Sequence, residues 1–480
     1  MRMLVLIHRW LGIAACLLFA MWFATGIVMH FVPYPGLSEA ERVAGLGPIG
    51  AGARLAGPAS AVAAAGIGGV ARVRLQSRPD GPVYIIEGEA AVRAVHARDL
   101  SPAAVRSERL ALAIAAQHAS SRGIVAGSLA VAGPDDYDQW TVPNGLDAHR
   151  PLYRVALGDG AGTELYVSSA TGEVVRDTTQ RERAWNYAGS VAHWIYPTVL
   201  RRNWRAWDAT VWTLSLTAAF VALTGALLGV LRLRLARGCV ASPFAGWQAW
   251  HHWLGLACMV FVLTWIVSGW LSMDHGRLFS TGGLSASERA ALAGAPEWSD
   301  RPIAPPGAAD ALQIEWFTLG GRLYRRERMA LALQRLSPAD EPGASARGRL
   351  GADEVTAAGR RLSPGCGVAA PVDAGDAYPV ARSMPDAPVY RVACGGDWFH
   401  VDGASGAVLE KLDASRRAYR WLYGALHTLD FPALASRPAL RTGIIVVLCA
   451  LGFAFSVTAV VIGWRRLRRD FPPGARFRSG

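Results

Sequence analysis

Seven of the eleven histidines lie in or beside long apolar runs: His8, His30, His193, His251, His252, His275 and His427. Ionisable side chains are costly in a lipid environment, so their presence there is a functional signal. Two of them open a phrase that occurs twice. His8-Arg-Trp-Leu-Gly-Ile-Ala14 returns as His251-His-Trp-Leu-Gly-Leu-Ala257, and the same offset places Trp22 on Trp265, Thr25 on Ser268 and Gly26 on Gly269. Imidazole is a neutral donor that serves ferrous and ferric iron alike, and helix bundles hold cofactors with ligands from facing helices. Gly12 and Gly255 follow His8 and His251 by four residues, on the same helix face. A missing side chain there lets a flat porphyrin approach the backbone. The pattern predicts a haem, or another metal group, between His8 and His251. The plainer alternative has both histidines capping helices at the head-group level, with glycine serving helix contact. His252 competes with His251 for the ligand role, about 100° further round the helix.

A second pair stands before two other apolar runs. Ala192-His193-Trp-Ile-Tyr-Pro197 follows Arg183-Ala-Trp-Asn-Tyr187, and Leu426-His427-Thr-Leu-Asp-Phe-Pro432 follows Arg417-Ala-Tyr-Arg-Trp421. His193 and His427 are the expected second ligand pair, with His30 and His275 joining or replacing one of them. His8 and His30 are 22 residues apart, about 33 Å of helix rise, so one haem cannot use both. One or two haems fit, the second near the other membrane face. Thr25/Ser268 and Gly26/Gly269 read as small-residue helix contacts, or as room for a macrocycle.

The elements that must position these residues are four spans, near Leu4–Val32, Trp207–Leu231, Trp247–Met273 and Thr442–Trp464, each meeting the requirement of roughly 20 apolar residues. With 52% hydrophobic residues the chain is too apolar to be wholly soluble. Its net charge of +12 is not a nucleic-acid signature, because the arginines cluster at span ends. Arg232, Arg234 and Arg237 follow the second span and Arg465, Arg466, Arg468 and Arg469 the fourth, which puts those ends, and both termini, in the cytoplasm. Both long polar stretches then face the periplasm. The first span is too long for the apolar part of a signal peptide and no small-residue cleavage site follows it, so a retained anchor is expected.

The expected organisation is therefore a first span in 1–33, an outward domain in 34–182, and an interfacial segment with the second span in 183–235. A cytoplasmic loop and third span (236–275), a second outward domain (276–415), and an interfacial segment, fourth span and cytoplasmic tail (416–480) complete it. Each outward stretch reads as α+β. The first has strands at 70–76, 82–87, 91–96, 139–142, 152–157 and 164–168, with a helix from Ser101 to His118. The second has strands at 312–317, 322–326, 329–336, 389–394 and 398–402, with a helix over 352–362; 282–310 and 337–350 are loops. Cys366 and Cys394 share the second domain, where an oxidising compartment favours a disulfide. Asp135, Asp136 and Asp138 form either a solvated turn or a loop contact for a ligand. No Gly-x-Ser-x-Gly, His-Glu-x-x-His, phosphate loop or dinucleotide fingerprint occurs, so electrons would arrive from a membrane quinol or another redox protein.

His8-x-Trp-Leu-Gly12, Leu-His-Thr at 426–428 and Glu164-Leu-Tyr-Val-x-x-x-Thr-Gly-Glu-Val174 together resemble the PepSY-associated transmembrane helix family, over nearly the whole chain. That family includes iron-regulated inner-membrane proteins and ferric-siderophore reductases. The resemblance implies a membrane α-helical four-span bundle, two periplasmic α+β PepSY-like domains related by an internal two-fold repeat, and, in the reductase branch, haem b ligated by bundle histidines. It suggests an inner-membrane electron carrier acting on ferric siderophores. The competing reading is a non-enzymatic, membrane-anchored PepSY binding or regulatory module; a transporter of iron chelates is weaker, since four spans leave little room for alternating access.

Overall fold

The computed structural model describes residues 1–50, 55–89, 91–236, 239–279, 283–295, 298, 310–341, 344–380 and 382–470. Arg237 and about half of the 282–310 stretch lie outside the described residues; the described part is not all loop, since Ser285 and Glu288 form a capping box that starts a helix over Ala286–Ala293. The chain forms two compact units, one of Met1–Tyr34, Ala184–Ser280 and Arg417–Gly480, the other of Pro35–Arg183 and Thr281–Arg416.

In the first unit, four helices are long and apolar enough to cross a membrane: Arg2–Phe31, Trp204–Leu231, Gly246–Ser272 and Pro438–Asp470. The second begins three residues before the expected Trp207, because the Asn203 side chain accepts a hydrogen bond from the Ala206 amide at 3.1 Å and caps it there. The fourth continues through its arginines, which are good helix formers. The first span packs on the second and fourth, and the third packs on the same two, so the helices close a ring. Phe19, Phe23, Val221, Val262, Trp265, Ile445 and Cys449 fill its middle. Leu17, Leu223, Val260 and Val447 remain exposed, which is the arrangement expected where lipid is the solvent. Gly452 is required by this packing: a Cβ there would lie 2.6 Å from the Phe23 ring.

In the second unit, the first polar stretch supplies strands β1 (Arg72–Gln76), β2 (Val83–Glu87), β3 (Val92–His96), β4 (Ala130–Asp135), β5 (Leu152–Ala156), β6 (Glu164–Ser168) and β7 (Val174–Thr178). A hairpin of β8 (Arg234–Ala236) and β9 (Cys239–Ala241) joins the second and third spans in the first unit. The second polar stretch supplies β10 (Gln313–Leu319), β11 (Arg322–Ala330), β12 (Leu333–Pro338), β13 (Ala370–Pro371), β14 (Val389–Cys394), β15 (Asp397–Asp402) and β16 (Val408–Leu412). The two stretches share one six-stranded sheet in the order β12-β11-β10-β1-β2-β3, joined by the antiparallel β1–β10 pair.

Alternation decides the two faces of that sheet. Val73, Leu75, Tyr84, Ile86, Ile314 and Trp316 form an apolar core with Ala61 and Ala65 of the helix Pro58–Ala65. The opposite face carries ions: Arg74 bonds to Glu87 and Glu173, each at 2.5 Å, and Arg326 to Glu315 at 2.9 Å. Two further sheets, β4-β5-β6-β7 and β13-β14-β15-β16, each cover one helix. Glu108–Ser121 packs on the first through Ala111, Ile114 and Ala115, and Ala352–Leu362 on the second through Val355 and Ala358. Ser107, not Ser101, caps the former helix, accepting from the Leu110 amide at 3.3 Å. Pro102 is instead drawn into an extended bridge with Val95. Residues 139–142 are a turn rather than a strand: Asp138 accepts from the amides of Trp140 and Thr141 and from the hydroxyl of Tyr166. That occupies the last carboxylate of the acidic cluster in structure. A disulfide joins Cys366 and Cys394.

His118, on the helix Glu108–Ser121, is buried with its Nε2 unpartnered among the described residues. Burial, with Arg122 nearby, pushes it down to about 4 from an ordinary 6.5. Between those values the unfolded chain takes up a proton that the folded chain refuses. The stabilisation is complete above the unfolded value and declines as pH falls toward the folded one, by roughly 3 kcal/mol overall. Urea midpoints of the sheet unit should therefore drop between pH 7 and pH 4.5, and His118→Gln should flatten that dependence.

Candidate functional site

The segments leading into the second and fourth spans have the same local form. A π-helical turn occupies Tyr187–Val191 in one and Arg420–Ala425 in the other. Each histidine follows that turn, and two residues later the backbone turns left-handed, at Ile195 (φ 49°) and Leu429 (φ 52°). Branched side chains rarely accept that conformation, and irregular helical turns and strained residues concentrate at functional sites. Pro197 and Pro432 then start the short helices that enter the spans.

This geometry brings His193 and His427 together, with ring centres 6.5 Å apart and planes at 68°. Thr25 holds His193 Nδ1 at 2.9 Å, while Ser268 and the Trp265 carbonyl each lie 3.1 Å from His427 Nδ1. Gly269 leaves room for its ring, since a Cβ there would stand 3.0 Å from His427 Cε1, whereas one at Gly26 would make an ordinary contact with His193 Cε1 at 3.7 Å. The repeated Thr-Gly and Ser-Gly pairs thus lie against the imidazoles, and Gly26 also faces Cys449 of the fourth span.

At the other end of the bundle, where the arginines cluster, a cavity of about 930 Å³ opens between the spans, within the range of small-molecule and cofactor sites. His8, His251, Gly12 and Gly255 line it together. His8 Nδ1 reaches the Val221 carbonyl at 3.2 Å and Thr224 Oγ1 at 3.3 Å, both on the second span. His251 Nδ1 lies 2.9 Å from Thr458 Oγ1 on the fourth, its ring stacked on Phe455 at 4.7 Å. Gly225 admits the His8 ring, since a Cβ there would lie 2.7 Å from Cε1. His8 and Thr25 are 17 residues apart, as are His251 and Ser268, so the two histidine levels are separated by about 26 Å of helix rise.

Carbonyl contacts fix the tautomer of two of the four rings, His8 and His427. The hydroxyls of Thr25, Thr224 and Thr458 also reach the carbonyls of Met21, Phe220 and Phe455 in their own helices. A carbonyl can only accept, and one faces Nδ1 of His8 and of His427. Nδ1 of His8 and of His427 therefore carries the proton and leaves Nε2 its lone pair, while Nδ1 of His193 and of His251 is held by a hydroxyl, which can donate or accept. Among the described residues the hydrogen bonds of these four rings are made through Nδ1. A protonated Nδ1 held by a second group is how metal-binding histidines are oriented.

The other three histidines have separate engagements. His252 lines the cavity, but donates Nε2–H to the Gly229 carbonyl and accepts at Nδ1 from Ser242, both at 2.8 Å, which leaves no lone pair for a metal. His30 Nε2 sits 2.8 Å from Thr442 Oγ1. His275 Nδ1 pairs with Asp208 at 2.6 Å, and its ring lies over Trp212. Among the described residues no three His, Cys, Asp or Glu side chains converge as a metal cage. Paired imidazoles without further protein ligands suit axial coordination of a macrocycle, which supplies the other donors itself. Thr224, Thr458 and Gly225 were not evident from the sequence. Thr458→Val removes the Nδ1 partner and should weaken metal-group binding at His251 by about 10–100-fold, read as cofactor retained after washing in detergent.

The site and fold define a class: a four-helix membrane bundle with inward-facing histidine pairs, attached to a sheet-rich unit. The family model of the PepSY-associated TM region matches residues 5–466, and the chain belongs to that family. No curated protein matches it.

Proposed function

We propose that the chain is a b-type haem protein of the bacterial inner membrane that carries electrons to the periplasmic side, where a ferric siderophore is reduced and releases its iron. The observation that supports it most is the common seating of His8, His251, His193 and His427, each held at Nδ1 by a hydroxyl or a carbonyl of the bundle. His8 and His251 would hold one haem beside Gly12 and Gly255, and His193 and His427 a second. Bound there, iron porphyrin would supply reversible one-electron chemistry. The chain's part is to fix the imidazoles through Thr224, Thr458, Thr25 and Ser268. Its lipid-facing side chains and the tightly packed Phe23, Phe261 and Trp265, with ring centres 5.7–6.2 Å apart, keep water from the middle of the bundle. The arginines at span ends orient both termini to the cytoplasm, and the two polar stretches are PepSY-like halves of an internal repeat in the periplasm. The donor would be a membrane quinol or a redox protein.

Reduction of a ferric chelate takes one electron per iron and leaves ferrous iron, which hard oxygen ligands hold less tightly. The test mixes dithionite-reduced, desalted protein with a ferric hydroxamate and a ferrous-selective colour reagent. Stoichiometric reoxidation with ferrous iron appearing is expected. A reduced spectrum unchanged by the chelate would refute the acceptor, and a colourless protein would favour the anchored binding module.

A further inference from the structure

Among the described residues, the cavity holding His8 and His251 is lined by five arginines, Arg9, Arg232, Arg465, Arg466 and Arg469, and by no acidic residue. One of the five has a local counter-ion, Arg466 paired with Asp470 at 2.6 Å. Arg9 Nε is buried and makes no hydrogen bond among the described residues. The other walls are apolar, with Phe19, Val221, Met259, Val262 and Phe455 among them. An apolar interior under a cationic rim selects an amphiphile with an anionic edge. A neutral quinol offers no charge to this rim, and hydrated cations are repelled by it.

We propose that Arg9, Arg232, Arg465 and Arg469 bind the two carboxylates of the porphyrin held by His8 and His251, setting its orientation with the acid edge toward the basic end of the bundle. This rests on the haem reading above. Guanidinium is suited to the role because its planar fork pairs with carboxylate through two parallel hydrogen bonds. An acidic phospholipid head group offers the same anionic chemistry from a second source.

The experiment follows haem release from the full-length holoprotein in detergent to an excess of apomyoglobin, with His427→Ala present so that only the inner haem is observed. Arg9→Gln/Arg465→Gln should release it at least about tenfold faster than the parent, since one lost charge-assisted bond is worth about that factor. Arg9→Lys/Arg465→Lys should fall between them. Reloading the parent with haem dimethyl ester, which lacks the acid groups, should reproduce the fast release, and the Gln variant should no longer distinguish acid from ester. Equal release of acid and ester from the parent would overturn the clamp while leaving the haem reading intact. Phospholipid phosphorus that co-purifies with the parent and falls in the Gln variant, without any change in haem release, would assign the rim to lipid and overturn it too. Failure of the parent to hold any haem would overturn the haem reading itself.

Discussion

Chain carrying His427→Ala is expected to purify with half the haem of the unaltered protein. His193→Ala should do the same, and the double variant should lose no more than either alone, because the proposed function assigns to one site two rings whose centres are 6.5 Å apart. Combining His427→Ala with His251→Ala should remove all of the haem, since the second substitution empties a different site about 26 Å of helix rise away. His30→Ala and His275→Ala should leave the content unchanged, as neither ring lines the cavity at His8 and His251 or belongs to the His193–His427 contact. Pyridine haemochrome on each purified variant measures these ratios. A His427→Ala protein with its full complement would remove His427 from the ligand set.

The second large effect comes from a residue that touches no cofactor. Gly225 lets the second span approach the His8 ring, and a Cβ there would stand 2.7 Å from Cε1, closer than real contacts allow. Gly225→Val must push the imidazole off its Val221 and Thr224 acceptors. The inner haem should be lost while the outer one stays, and overpacking should cost about 1–3 kcal/mol. Gly443→Ala is the control, because nothing lies within 4 Å of the added atom; haem content should hold. Retention of both haems by Gly225→Val, with an unchanged spectrum, would show that the His8 ring position is irrelevant to binding.

Much of this site is written in the sequence because the chain states it twice. A histidine four residues before a glycine, repeated at the same depth in two spans, marks His8 and His251 without any knowledge of contacts. The hydroxyls that orient them leave no such trace. Thr458 meets His251 across 207 positions of sequence, and hydrophobic periodicity carries no information about a partner that distant. Thr25 and Gly26 were visible as a repeated pair, yet small residues in a span usually serve helix contact. Only the π-helical turn before His193, which folds that ring back onto the first span, gives them their role. The sheet presents the same difficulty. Alternation marks Arg72–Gln76 and Gln313–Leu319 as strands, but nothing in either says that they pair with each other. The helix cap moved from Ser101 to Ser107 for a tertiary reason, the bridge between Pro102 and Val95.

The most direct test of the central claim is the haem-to-chain ratio of the full-length protein, from pyridine haemochrome absorbance against amino-acid analysis. Two haems b per chain, with a Soret band that shifts on dithionite and low-spin signals of bis-imidazole iron, are the expected result. A chain that folds in detergent, is supplied with haem during expression and still purifies without a Soret band would contradict it.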